Sequence, residues 1–140
     1  MNEQQIRDMK PGPEMDRTLG LALGYEEILV HEDLERRQKS EHERGTIIRY
    51  GIRYILRRKD QPAVEWSPST TWEGMGLVIE EMQNRWLQVF TTHYHDGTTD
   101  AQVVREAMET LGDAQSKEAP HAVAKAALLA LLALRGGEQR

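Results

Sequence analysis

Between Ala119 and Leu134 the chain runs APHAVAKAALLALLAL, almost wholly apolar and interrupted by one lysine, in a sequence otherwise rich in charge. These are strong helix formers without a central β-branched cluster, so the run predicts a helix. Pro120 suits a first turn, where a missing N–H costs nothing, and Gly136–Gly137 can release the chain at the far end. Ala124, Leu128, Leu131 and Leu132 make one stripe, which Ala126, Leu129 and Ala133 widen beyond the one-sided pattern of a surface helix. A helix apolar on nearly every side must be covered. The rest of the fold is therefore expected to be built around it.

That run is too short to span a hydrocarbon core, and no basic segment leading into an apolar stretch stands near Met1. A soluble cytoplasmic protein without a membrane partner is the expectation. The 140 residues have room for one domain with a modest core. Cysteine is absent, which excludes disulfides, thiolate metal sites and cysteine nucleophiles. A formal net charge of −5 gives little support for binding long nucleic acid, although a local basic face is compatible with it.

Residues 3–9 read as a short helix stopped by Lys10-Pro11-Gly12-Pro13. Pro13 opens a second helix whose apolar edge is Met15, Leu19 and Ala22 or Leu23, with Gly24 at its end. Gly20 within it costs about 1 kcal/mol relative to alanine, a cost that close packing would explain. After Ile28–Val30 comes HEDLERRQKSEHERG, residues 31–45, whose alternating charges read as a solvated segment. From Thr46 the period changes to two: Ile48, Tyr50, Ile52, Tyr54 and Leu56 alternate with Arg49, Gly51, Arg53, Ile55 and Arg57. This predicts one long strand with an apolar and a basic face, followed by a short extended piece at Val64–Trp66. A lone strand cannot bury its apolar side, so neighbours are required.

Ser67-Pro68-Ser69-Thr70-Thr71-Trp72-Glu73 is the clearest helix start, with Thr70 as cap and Glu73 completing a capping box. Trp72, Met75, Ile79 and Met82 recur at helical spacing, extended by Val78 and Trp86, and Gly74 and Gly76 favour close approach to a sheet. The helix is expected to reach about Gln83. Residues 86–95 alternate as a strand, and Asp96–Gly97 signals a turn. Val103, Val104, Ala107, Met108 and Leu111 then fit a helix over 99–111 by spacing, with a strand over 103–110 as the alternative.

Three segments carry a resemblance: Met9-Lys10-Pro11-Gly12-Pro13-Glu14-Met15-Asp16 leading to Leu19 and Gly24, Ser67-Pro68-Ser69-Thr70-Thr71-Trp72, and Ala119-Pro120-His121-Ala122-Val123 running into Ala126-Ala127-Leu128-Leu129-Ala130. In order and separation they resemble the small phage and prophage proteins with a phage ABA sandwich domain. The resemblance frames most of the chain. It implies an α+β fold, a small antiparallel sheet covered by helices in an alpha-beta-alpha sandwich with the C-terminal helix central. The domain would be 1–140, with the charged stretch near 31–45 as an insertion. Glu118 stands where that family usually has threonine ahead of Ala-Pro, and a helix at 99–111 would depart from its strand hairpin. No catalytic residue is carried over from it.

Arg49, Arg53 and Arg57 share one face of the expected strand, with Arg58 and Lys59 at its end. Guanidinium forks can clamp phosphate, and Tyr50, Tyr54, Trp66 or Trp72 could supply an aromatic wall where the strand end bends. In a regular strand the tyrosines lie opposite the arginines, and pairing of the arginines with glutamates is the plainer reading. His93 and His95 project to one side of a regular strand and could offer two metal ligands, but a third must come from His31, His42, His121 or a nearby aspartate. Glu73, Glu80 and Glu81 fit a solvated helix face better than a converging acid–base pair. Scattered glycines form no phosphate-cradling loop.

These readings lead to a non-enzymatic accessory binding protein without a cofactor, of phage or prophage origin by resemblance and acting in the cytoplasm of a bacterial host. One version is a counter-defence sponge that sequesters a cyclic or phosphorylated nucleotide between protomers of a homo-oligomer. The alternatives are a protein-binding or structural accessory acting through a dimer or host-protein interface, and a metal-assisted hydrolase using His93 and His95.

Overall fold

In a computed structural model that describes residues 1–29 and 45–138, Asn2 caps the first helix, α1 (Glu3–Arg7), with Gln5 closing a reciprocal capping box. The turn that follows uses Gly12 at φ 145°, ψ −172°, a conformation open essentially only to glycine. Pro13 then occupies the first position of α2 (Pro13–Ala22), where its fixed φ suits the helix. The charged segment at 31–44 lies outside the described residues.

Two sheets follow. The first has the order β1 (Glu26–Leu29), β2 (Thr46–Tyr50), β3 (Arg53–Arg57) and β4 (Val64–Glu65), with β1 parallel to β2 and the other pairs antiparallel. After α3 (Trp72–Asn84) comes the second, a three-stranded antiparallel sheet of β5 (Gln88–His93), β6 (Thr99–Arg105) and β7 (Glu109–Ser116). The chain ends in α4 (Ala119–Glu138), which continues through Gly136–Gly137. The fold is α+β, with helices covering the sheets and the C-terminal helix packed on strands.

Burial of α4 explains its composition. Ala122, Val123, Ala124, Ala126, Ala127, Leu128 and Ala130 are all buried. It packs on β6 and β7 on one side and meets α1, α2 and α3 on others. The alanines permit close approach, and the point of closest approach is Gly112 in β7. A Cβ there would collide with the carbonyl of Ala126 and lie 2.7 Å from the amide nitrogen of Ala130. Half-buried Lys125 serves a different end: its Nζ donates to the Arg7 carbonyl at 2.7 Å, satisfying an acceptor left over at the end of α1.

Besides the expected release at Gly136–Gly137, which the last helix runs through, four expectations change. The long strand at 46–57 is a hairpin: Gly51, at φ 64°, and Ile52 form a two-residue loop between the paired Tyr50 and Arg53. Glycine at the first loop position is what a type II′ turn requires, while the unbroken alternation through Gly51–Ile52 hides the reversal. The helix expected over 99–111 is a strand pair joined by a short 3₁₀ turn at Glu106–Met108. A bulge at Val103/Val104 lets two successive valines be buried, which breaks the period of two and imitates helical spacing.

The cap of α3 is Thr71, whose hydroxyl accepts from the Gly74 amide at 3.0 Å, so Glu73 falls one place short of completing a capping box. Finally, only one of the two glycines of α3 is crowded. A Cβ on Gly74 would lie 2.6 Å from the Ser67 carbonyl, in the preceding turn rather than the sheet, whereas one on Gly76 would meet nothing within 4 Å.

Candidate functional site

Of the three segments behind the family resemblance, the second and the third each meet the first. Trp66 Nε1 donates to the Asp16 carbonyl at 2.7 Å, the Asp16 carboxylate accepts the Ser69 amide at 2.8 Å, and Ser69 Oγ accepts the Gly12 amide at 2.9 Å. From the third segment, His121 Nε2 lies 2.9 Å from the Met9 carbonyl while its Nδ1 lies 2.9 Å from Ser116 Oγ. A carbonyl only accepts, so Nε2 carries the proton and Nδ1 accepts from the serine. Burial holds this imidazole below its ordinary range, against the favourable Met9 contact. Burial likewise raises the Asp16 carboxyl to about 6, opposed by its bonds from Ser69. All three segments thus fasten the turn between α1 and α2, a structural task.

The residues expected to bind an anion are spread apart. In the hairpin, Arg49 pairs with Tyr54 and shares the face of buried Ile47 and Leu56, while Arg53 and Arg57 take the opposite face with Tyr50. Arg49 Nε donates to the Gly51 carbonyl at 2.9 Å, and Arg53 reaches Glu65 at 3.4 Å. Tyr54 and Trp66 are core residues with committed polar atoms; Tyr54 donates to Glu27 at 3.0 Å, and Trp66 lies edge-on to Tyr25. Exposed Trp72 stacks instead on His93 of the second sheet, with ring centres 6.2 Å apart. Tyr50 and Arg53 stay side by side at the turn end of one face, while Arg57 lies at the far end of that face opposite Thr46, with buried Ile48 in the pair between them.

His93 ends β5 and contacts Thr99 Oγ1 through Nδ1 at 3.1 Å; His95 lies beyond it in the turn. Among the described residues no group of three or more His, Asp or Glu side chains is placed to hold a metal ion.

A concavity lies elsewhere. A groove of about 600 Å³ lies between α1, α2 and the last turns of α4, with Ile6, Leu21, Leu128, Leu131 and Leu132 as its apolar wall. Arg17, Arg85 and Arg135 stand around it. Arg17 is held by Glu27 at 2.7 Å. Burial opposes the charge of Glu27, but hydrogen bonds from Arg17 and Tyr54, aided by the charges of Arg17 and Arg49, outweigh it and hold the carboxyl below its usual range.

Arg85 projects from the end of α3, and its Nη2 donates to the Leu23 carbonyl at 2.6 Å. It shares Glu81 with Arg58, yet both ion pairs are long, 4.0 and 3.9 Å. Beside them the buried Tyr25 hydroxyl and Arg85 Nε have no hydrogen-bond partner among the described residues. Burial, then the charge of Glu81, pushes the Tyr25 hydroxyl's ionisation upward. Two guanidiniums and one carboxylate leave this corner with an excess positive charge and unspent donors.

Such a groove can take a ligand with an apolar face and an anionic group. The described residues lining it include no carboxylate, imidazole or cysteine. In sequence, only the Glu81–Arg85 spacing of four hinted at the corner, and nothing linked it to Arg17 or the leucines of α4. Glu81, expected on a solvated face, is instead largely buried between arginines. Among the described residues no helix is long and apolar enough to cross a membrane. No protein-family model, curated protein or solved structure matches this chain.

Proposed function

We propose that this chain is a non-enzymatic accessory binding protein whose ligand is a small organic anion held in the groove between α1, α2 and α4. The observation that carries the reading is the placement of Arg17, Arg85 and Arg135 around a wall of leucine and isoleucine. Guanidiniums recognise phosphate or carboxylate through paired donors, and the aliphatic wall rewards an apolar body. In the narrower version, a counter-defence sponge, the anion is a cyclic or phosphorylated nucleotide removed stoichiometrically. The phage setting and the bacterial cytoplasm enter only through the resemblance of the three motif segments. Because Tyr54 and Trp66 are buried, a nucleobase in this groove would rest on aliphatic side chains without an aromatic stack.

Calorimetric titration with cyclic dinucleotides, nucleoside monophosphates and a medium-chain fatty acid tests the reading. Binding is expected for at least one anion, which is recovered chemically intact, and Arg85→Gln with Arg135→Gln should weaken it at least tenfold. Replacing Arg53 and Arg57 should leave that affinity unchanged. No heat with any of them, or equal affinity in the groove variant, would remove the proposal. A second reading, an accessory acting through a protein interface, is favoured by the uncovered edge of β5.

A further inference from the structure

The two edges of the second sheet differ. Along β7, Glu109 and Asp113 place charges on the strand, and Arg7 of α1 reaches across to donate to the Asp113 carbonyl at 3.3 Å. Charges and covering contacts of this kind block further strand addition. On the other side, β5 reads QVFTTH, has no acidic or basic side chain from Gln88 to Thr92, and is exposed along its length except for half-buried Val89. No described strand pairs with its outer side.

The hydrogen-bonding phase of that edge can be worked out. Tyr94 donates its amide to the Thr98 carbonyl at 2.8 Å next to the paired His93 and Thr99. Antiparallel pairs alternate, so Thr92, Phe90 and Gln88 bond to β6 while Val89, Thr91 and His93 turn their N–H and C=O groups to the open side.

A second observation lies at the start of the strand. Trp86, the residue after the C-cap of α3, has φ 64°, a left-handed position normally given to glycine, and its side chain is 84% exposed. A bulky residue there is strained, and the exposed ring recovers little of that strain by burial within the chain. Phe90 at 44% and Tyr94 at 48% add exposed aromatic surface on the strand beyond it.

We infer that β5 pairs antiparallel with β5 of a second copy of this chain, around a two-fold axis at Thr91, joining the two sheets into one. In that register Val89 lies opposite the partner's His93, Phe90 opposite the partner's Thr92, and Gln88 opposite the partner's Tyr94. The outward backbone groups of Val89, Thr91 and His93 are all satisfied, and no like charges face each other. Phe90 and Tyr94 gain aromatic and β-branched cross-strand neighbours. A second copy is the fitting occupant because the same uncharged segment completes itself and buries its own aromatic surface, as a closed two-fold interface requires.

Sedimentation of the full chain tests this through the axis. Thr91→Lys and Thr91→Glu each set like charges opposite one another, so each variant is expected to be monomeric with unchanged circular dichroism while the parent is dimeric. Mixed in equal amounts, the two variants should re-form a dimer. Because the parent lacks cysteine, Thr91→Cys should also give a disulfide-linked dimer on mild oxidation, an independent readout should the charged variants fail to fold. A monomeric parent at high micromolar concentration, or dimers unaffected by either charge, would overturn the inference. So would β5 amides that gain protection only when a foreign extended peptide is added.

Discussion

The Asp16 carboxylate and the Ser69 amide, 2.8 Å apart and buried, join the start of α2 to the turn before α3 across more than fifty residues of chain. Burial raises this carboxyl from 3.8 to about 6 in the folded protein. The folded state then holds a proton that the unfolded chain has already released, so stability falls as pH rises through that window. Asp16→Asn keeps an acceptor for Ser69 and does not titrate. Between about pH 4 and about pH 7 its stability relative to the parent should improve by on the order of 3 kcal/mol, read from urea midpoints. Parallel pH profiles would contradict the assignment.

His121 produces the opposite trend. Its imidazole is held below the ordinary value of 6.5, so the unfolded chain takes up a proton first as pH falls, and stability is lost below that point. His121→Ala should cost about 2 kcal/mol near pH 7.5, because the Met9 carbonyl and Ser116 hydroxyl lose their partner. The deficit should narrow on acidification, as measured by thermal melts across pH. A constant deficit would mean that packing alone is at stake.

Two glycines separate close approach from mere tolerance. Gly112→Ala drives a methyl group into the α4 backbone and should destabilise by about 3 kcal/mol or prevent folding. Gly76→Ala meets only open space on an exposed helical face and should stabilise by about 1 kcal/mol. Chemical denaturation of the pair checks both signs.

Sequence periodicity was informative wherever a segment kept one period and ended on a clear signal. The apolar run of α4, Pro13 at the start of α2 and the Asp96–Gly97 turn were all legible on those grounds. It failed where a local irregularity imitated another pattern, at Gly51–Ile52 inside an unbroken alternation and at the Val103/Val104 bulge. The hairpin error also misplaced the expected arginine cluster. A two-residue reversal moves Arg49 to the face opposite Arg53, although a continuous strand would keep them together. The groove was not legible, because Arg17, Arg85 and Arg135 come from different helices and only tertiary packing assembles them.

Glu81 balances two arginines at the groove's corner through long ion pairs. Glu81→Gln should lower stability by about 1–2 kcal/mol, less than the loss of a fully buried pair, because the contacts are loose and partly solvated. It should also tighten binding of a small anion near Arg85 by releasing both guanidiniums. Titration of the variant with inorganic phosphate, at low ionic strength, checks the direction. Weaker binding than in the parent would place the anion elsewhere.

Enclosure of α4 is the claim on which the fold, the groove and the meeting of the three segments all rest. Native-state amide hydrogen exchange resolved by residue is its most direct test. Amides from Val123 to Ala130 should exchange only at the rate set by global unfolding, as the slowest in the chain. Exchange there within seconds, while β6 and β7 stay protected, would contradict it.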